Sequence, residues 1–221
     1  MKWSARRTAL VLGLAGLGAL GLWRTRERLA AALLDWGMAP LDRLGLARLR
    51  ARTVGPAAGR VLEIGVGTGR NFGLYQKARL VVALDPDLTL LAQAARQARR
   101  ERRPVYLVAG RAEALPFRSA AFDTVVATLV FCTVGDLAQG LAEVRRVLAP
   151  GGELRLLEHV RAPWPWLAAL QERLTPLWQR LAGGCHLDRE TATLVRAAGF
   201  TLEAVRPHLG GLLLEIVARP A

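Results

Sequence analysis

The segment VLEIGVGTGRN, residues 61–71, restricts the fold of this chain more than any other stretch. A short apolar run reads as a strand, and Gly65, Gly67 and Gly69 follow it at once. Glycine adopts backbone angles closed to other residues and has no Cβ to hold a ligand away. A strand that enters such a turn and leads into a helix presents bare backbone to a ligand. The dinucleotide fingerprint G-x-G-x-x-G uses the same device. Here the third glycine falls one residue early and Arg70 stands in its place. Asp85 ends the next apolar run, VVALD, 20 residues after Gly65. An acid at the tip of a second strand can accept both hydroxyls of a ribose.

The rest of the chain repeats the alternation. Strands are expected over 60–64, 80–84, 105–108, 123–130 and 153–158. Between and after them, helices are expected from about Asn71, over 88–103, 136–148, 163–181 with a break near Pro176, and 189–198 with Asp188 as its cap. Two final strands, 200–206 and 212–218, have no helix between them, so one runs antiparallel. The pattern predicts an α/β fold: a seven-stranded, mostly parallel sheet with one of its last two strands antiparallel and helices on both faces.

An N-terminal hydrophobic helix is added to that domain. Residues 8–23, TALVLGLAGLGALGLW, carry no charge; Arg6 and Arg7 precede them and Arg24, Arg26 and Arg28 follow. As a helix the run is roughly 24 Å long, against ~30 Å of bilayer hydrocarbon. A signal peptide would need a small-x-small cleavage site, which does not follow the run. A buried core helix is the plainer alternative, but an all-round apolar, glycine-rich run is unusual for one. We read a membrane anchor, spanning or lying shallow, with the arginines holding the following domain on the cytoplasmic side. The boundaries are 1–28 for the anchor with its basic flanks, 29–57 for a helical basic juxtamembrane or lid segment, and 58–221 for the domain. Residues 53–59 read as a linker.

Arg43, Arg48, Arg50 and Arg52 in that segment, and a net charge of +13, favour an anionic partner. Beside an anchor, that partner is expected to be anionic lipid at a membrane surface. Basic residues without interleaved aromatics make a poor case for nucleic acid. Cys132 and Cys185 are too few for a disulfide framework or a metal site, so no metal is expected and a reducing compartment fits. The oligomeric state leaves no mark in the sequence.

The segments LEIGVGTG, ALDPD, AEALPF, FDTVVATLVF and EVRRVLAPGGELRLLEH occur in this order. With them, residues from about 58 to 219 resemble the class I S-adenosylmethionine-dependent methyltransferases. The resemblance implies a Rossmann-like, seven-stranded, mostly parallel sheet with its last strand antiparallel, and S-adenosylmethionine as cofactor. It implies that Glu63, Gly65 and Gly67 face its methionine part, that Asp85 holds the ribose and that Pro86 flanks the adenine. Ala112 and Glu113 match the part of the motif that caps the adenine ring. Arg111 stands where the family often has Asp, so Glu113 or the Ala112 amide would take over that contact. Thr128 would sit between cofactor and substrate.

Methyl transfer is an in-line displacement, and an oxygen or thiol acceptor usually needs a base. His159, in LLEHV at the carboxyl edge of the sheet, is the best-placed candidate; a structural histidine at a strand end is the alternative. His186, in GGCHLDRET, is the second candidate. No NPPY or DPPY motif follows the fourth strand, which removes the usual signature for amino groups of adenine or glutamine. The apolar N-terminus, TLVFCTV, LLEHV and LTPLWQRLAGGCHLDRET are similar to the membrane-associated thiol methyltransferases of the methyltransferase-like group and their bacterial relatives. That resemblance implies a small lipophilic thiol as substrate. The LEIGVGTG start is also similar to bacterial phospholipid N-methyltransferases, which act on phosphatidylethanolamine. Trp164, Trp166, Leu167, Leu170, Leu174, Trp178 and Leu181 form either an interfacial lid over the acceptor or plain packing against the sheet. A non-catalytic cofactor-binding scaffold and a dehydrogenase remain as readings of other classes.

Overall fold

The computed structural model describes residues 39–102 and 104–221. The apolar run 8–23, its arginine flanks and the first part of the basic segment lie outside the described residues.

Seven strands form one sheet: β1 (Ala58–Ile64), β2 (Lys77–Asp85), β3 (Val105–Ala109), β4 (Phe122–Thr128), β5 (Leu148–His159), β6 (Phe200–His208) and β7 (Leu213–Pro220). Their spatial order is β3-β2-β1-β4-β5-β7-β6. The first five pair in parallel with one another, and β7 runs antiparallel to both β5 and β6. The expected sheet is therefore present, with its reversed strand. Every residue from Val61 to Ile64, and from Thr124 to Thr128, is buried. Such unbroken burial marks strands covered on both faces. Strand order turns back between β1 and β4, and ligands of open α/β sheets gather outside the carboxyl ends at such a point.

The helices are α1 (Ala47–Val54), α2 (Leu88–Arg100), α3 (Leu137–Val147), α4 (Pro165–Leu181) and α5 (Thr191–Ala197). Asp87 caps α2 by accepting the Thr89 and Leu90 amides, and Asp136 caps α3 by accepting the Gln139 amide. Leu137, Leu141 and Val144 recur at helical spacing on α3 and join Leu62, Ile64, Leu154 and Ile216 in one core layer. On the other face Val61, Phe72, Tyr75, Val81 and Ala94 form a second layer. Burying each large side chain of these layers contributes about 1.5–3 kcal/mol.

Several local expectations are corrected. The helix expected from about Asn71 is a single 3₁₀ turn, Phe72–Leu74, because β2 already begins at Lys77 and leaves no room for more. Residues 53–59 are not a free linker: Thr53 and Val54 end α1, Ala58 and Gly59 open β1, and Val54 and Ala57 are wholly buried. The expected break near Pro176 is absent, and α4 runs through it. Pro176 lies on the exposed face, where water can take the carbonyl that its missing N–H would have served. Asp188 does not cap α5, which begins at Thr191; its carboxylate accepts from the Thr175 hydroxyl at 3.3 Å instead.

Helix α4 inverts the usual pattern. It buries only Ala168, Gln171 and Thr175, while Trp166 is 69% exposed, Leu181 is 74% exposed, and Leu170, Leu174, Leu177 and Trp178 also face outward. Plain packing of these large side chains against the sheet is therefore overturned. A contiguous apolar face of this kind marks a binding surface on a folded protein.

Candidate functional site

The glycine turn is held at the crest of the sheet. The Gly65 and Val66 amides both donate to the Leu84 carbonyl, at 2.8 and 3.1 Å. Gly65, Gly67 and Gly69 have φ of +67°, +55° and +86°, which other residues rarely adopt. At Gly65 a Cβ would stand 2.4 Å from the Val130 side chain, so the turn also packs too closely for a side chain. At Gly67 a Cβ would meet nothing within 4 Å. The turn thus leaves open space above Gly67 where a ligand can approach its backbone.

Asp85 borders that space. Its Oδ2 accepts the Gly67 amide at 2.9 Å and its Oδ1 accepts the Asp87 amide at 3.0 Å. Each oxygen keeps capacity for one further hydrogen bond. Burial raises the carboxyl above its usual range, and the two amides oppose that shift. Pro86 lies exposed beside it. The Gly110 amide donates to the Asp85 carbonyl at 3.2 Å, which brings the turn after β3 to the same edge. In that turn Ala112 is buried and Arg111 bridges to Ala114. The Glu113 carboxylate accepts the Gly135 amide at 3.1 Å and faces Arg111 at 3.5 Å, so it is committed to fixing two loops.

A second cluster closes the other side of the turn. Glu63 is fully buried, and its Oε1 accepts the Asn71 side-chain amide at 2.8 Å. The same amide reaches the Thr128 hydroxyl at 3.0 Å, and Arg50 donates to that hydroxyl at 2.7 Å. Burial pushes the Glu63 carboxyl up to about 7; hydrogen bonds from Tyr75 and Asn71 and the Arg50 charge pull the other way. Arg50 itself is 7% exposed and lies 3.5 Å from Asp42, which also pairs with Arg70. Arg50 therefore departs from the basic cluster in which the sequence placed it. Arg43, Arg48 and Arg52 are exposed, whereas Arg50 shares an inward face with Leu46, Thr53 and Val54. That spacing, with Asn71 directly after the glycines, was the available signal for both residues.

Across β4 lies the other half of the site. Glu158 is fully buried and accepts three backbone amides, from Val130 and Phe131 at 3.1 Å and from Cys132 at 3.4 Å. Burial pushes its carboxyl up to about 7, against the pull of those amides. His159 follows at the end of β5. Its Nδ1 is buried with no hydrogen-bond partner, and its ring faces Cys185. His186 is placed differently. Its Nδ1 meets Gln179 at 3.0 Å and Arg189 at 3.2 Å, and since a guanidinium only donates, Nδ1 accepts and Nε2 carries the proton. Burial, and then the Arg189 charge, lower its pKa. Arg189 also donates to the Phe131 carbonyl and, at 2.7 Å, to the Val134 carbonyl, tying this segment to the loop behind β4.

Gly67 and Asp85 are thus joined at the glycine turn, and Glu63, Asn71, Thr128 and Arg50 form one hydrogen-bonded cluster beside it, while Pro86 follows Asp85, Ala112 and Glu113 lie in the turn after β3, and His159 ends β5 on the other side of β4. His186 serves the neighbouring stitching. Among the described residues no cluster of His, Cys, Asp and Glu is arranged to hold a metal ion.

The sequence model described as a methyltransferase domain matches residues 62–156. Thiol S-methyltransferase TMT1B of Rattus norvegicus is 37% identical over 145 residues, 64% of this chain and 59% of that protein. Thiol S-methyltransferase TMT1A of Homo sapiens is 34% identical over 171 residues, 70% of each chain. Phosphatidylethanolamine N-methyltransferase of Cereibacter sphaeroides is 34% identical over 143 residues, 64% of this chain and 70% of that one. The match therefore spans just under three fifths of the TMT1B relative and more than two thirds of the other two. A solved S-adenosylmethionine dependent methyltransferase from Mesorhizobium loti superimposes with a TM-score of 0.61 at 20% identity, over 76% of this chain and 95% of that one. The likeness to that structure is one of fold.

Proposed function

For a chain that belongs to the S-adenosylmethionine-dependent methyltransferases, we propose a small lipophilic thiol, met at a membrane surface, as the methyl acceptor. The cofactor is S-adenosylmethionine, and the chain is an enzyme. Family membership sets aside the scaffold and dehydrogenase readings. The donor side fits this cofactor: there is open space over Gly67, and Asp85 has one free acceptor site on each oxygen. When bound, the sulfonium supplies an electrophilic methyl group. Asp85 would hold the ribose hydroxyls. The Glu63 cluster would fix the turn beside the methionine part and, with Arg50 and Thr128, exclude water there.

The acceptor reading is carried by the outward apolar face of α4, whose Trp178 faces Cys185 beside His159. Apolar cover next to an imidazole with an unpartnered nitrogen suits a lipophilic acceptor that must lose a proton. A thiol of pKa ~8.5 is already partly ionised near neutral pH, so His159 would assist without being indispensable. His159→Ala is expected to slow thiol methylation without abolishing it; an unchanged rate at every pH would remove His159 from the step. The similarity to two thiol S-methyltransferases supports the same choice.

A phospholipid amine is the second reading, favoured by the +13 charge and the similarity to a phosphatidylethanolamine N-methyltransferase. No helix among the described residues is long and apolar enough to cross a membrane. The proposed anchor, with the domain on the cytoplasmic side, rests on residues 8–23 and on the apolar face of α4.

The deciding experiment gives methyl-labelled cofactor and purified full chain either an aliphatic thiol or phosphatidylethanolamine vesicles, with Asp85→Ala as the blank. Label in a thioether supports the thiol. Label in lipid moves the function to the phospholipid amine. Label in neither, with cofactor bound, overturns both acceptors and leaves the family standing.

A further inference from the structure

The two cysteines of the chain, distant in sequence, meet beside His159. Cys132 lies in the loop behind β4 and is 3% exposed, and Cys185 lies just beyond α4, half-buried. The meeting is built by the backbone. The His186 amide donates to the Cys132 carbonyl at 2.8 Å, Arg189 binds the Phe131 and Val134 carbonyls, and Glu158 receives the Cys132 amide. The segments carrying the two thiols are therefore fixed against each other on three sides.

The two cysteine side chains lie near enough to influence each other's ionisation, and the His159 imidazole and the Trp178 indole lie beside Cys185. An indole N–H can only donate. Donors converging on one sulfur favour its thiolate, so Cys185 titrates lower than usual; its neighbour Cys185, and then burial, hold Cys132 as the thiol. A thiolate with an exposed flank and a buried thiol behind it is the arrangement of an attacking and a resolving cysteine. A cysteine that serves only as a small core residue needs neither the donors nor the partner.

We propose that Cys132 and Cys185 form a thiol–disulfide exchange centre for small organic disulfides, with Cys185 as the attacking sulfur and Cys132 as the resolving one. The Cys185 thiolate, its proton released to water, attacks one sulfur of R–S–S–R; a mixed disulfide forms and RS⁻ leaves. The Cys132 proton passes to the released RS⁻. The Cys132 sulfur then attacks the Cys185 sulfur, and the second RS⁻ departs and takes a proton from water. The two cysteines lose two electrons to form one disulfide, and the organic disulfide gains them as two thiols. The proposal does not depend on which acceptor is methylated.

The test treats the full chain with 2-hydroxyethyl disulfide and reads intact mass and mapped peptides. Expected for the wild type is the loss of two hydrogens, with residues 132 and 185 in one linked peptide. Cys132→Ser should stop at a mixed disulfide on Cys185, formed at least ~tenfold faster than any adduct on Cys132 in Cys185→Ser, because the thiolate fraction governs attack. Wild-type thiols that stay reduced where dithiothreitol is fully oxidised would overturn the proposal without any variant having to fold. Equal rates at the two positions would overturn the assigned roles.

Discussion

Glu63 lies within the buried run that closes β1 and Glu158 ends its run on β5, one strand to either side of β4. Both are fully buried, and burial pushes both carboxyls up to about 7. Their partners differ. Glu63 meets side chains from two separate segments, Asn71 and Tyr75 at either end of the 3₁₀ turn and Arg50 on α1. Glu158 meets the backbone of one loop, three successive amides from Val130 to Cys132. The first arrangement can be re-formed around a ligand; the second fixes the course of the chain. One residue type, equally buried, thus joins side chains beside the glycine turn on one side of β4 and holds a backbone loop on the other.

The largest expected effect tests the architectural half. Glu158→Ala leaves three buried amides without an acceptor, at about 1–3 kcal/mol each, and thermal melts should fall by roughly 10 °C or more. A fall no larger than that of Glu63→Ala would erase the distinction between the two glutamates. Next comes the binding half. Asp85→Ala should weaken cofactor binding by about 100-fold in calorimetry, the worth of roughly two charge-assisted hydrogen bonds, while the melt of the ligand-free protein falls by less than that of Glu158→Ala, because only the Gly67 and Asp87 amides lose an acceptor. If stability falls as far and affinity holds, Asp85 belongs with Glu158.

pH tests the pair more finely. A carboxyl whose pKa is raised on folding binds its proton more tightly in the native state. Its contribution is therefore fully present below about pH 4.5 and is lost as pH rises through about 7. Glu63→Gln escapes that loss, so its stability relative to wild type should improve by about 1–3 kcal/mol between pH 5 and pH 8 in denaturant titrations. Glu158→Gln should show the same gain with pH, because its carboxyl is raised as far, but on top of a loss present at every pH, since one amide oxygen cannot serve three N–H groups and the new NH₂ turns against them. Equal stability of the two variants at pH 5 would mean that the partners do not matter. The smallest effect compares glycines. Gly67→Ala adds only left-handed backbone strain, about 1–2 kcal/mol, since its surroundings are open, whereas Gly65→Ala adds a clash with Val130 and should melt several degrees lower.

The glycine turn and the acid beside it were legible in the chain. Gly65, Gly67 and Asp85 are local signals: a turn that needs positive φ and an acid closing a strand do not depend on what the rest of the molecule does. The helix after the glycines was misplaced because its absence depends on where β2 begins, which pairing with β1 decides. Arg50 was read as a surface charge because an arginine among arginines carries no local mark of burial. Its true position follows from α1 packing against β5 and β7, contacts with residues a hundred positions away. Helix α4 misled in the opposite sense, since Trp and Leu at helical spacing ordinarily face a core.

The succession of strands along the chain, the glycine turn and the acid that closes the second strand were determined by the sequence itself. Each follows from periodicity or backbone chemistry within a few residues. Tertiary structure decided the order of strands across the sheet and how the polar groups were paired: that Arg50 and Asn71 join Glu63 and Thr128, that Glu158 holds a loop, that Nδ1 of His159 is left unpartnered while Nδ1 of His186 is not, and that two distant cysteines lie near each other. Buried polar groups take their roles from the partners that replace water, and those partners come from other strands and helices that only folding brings within reach.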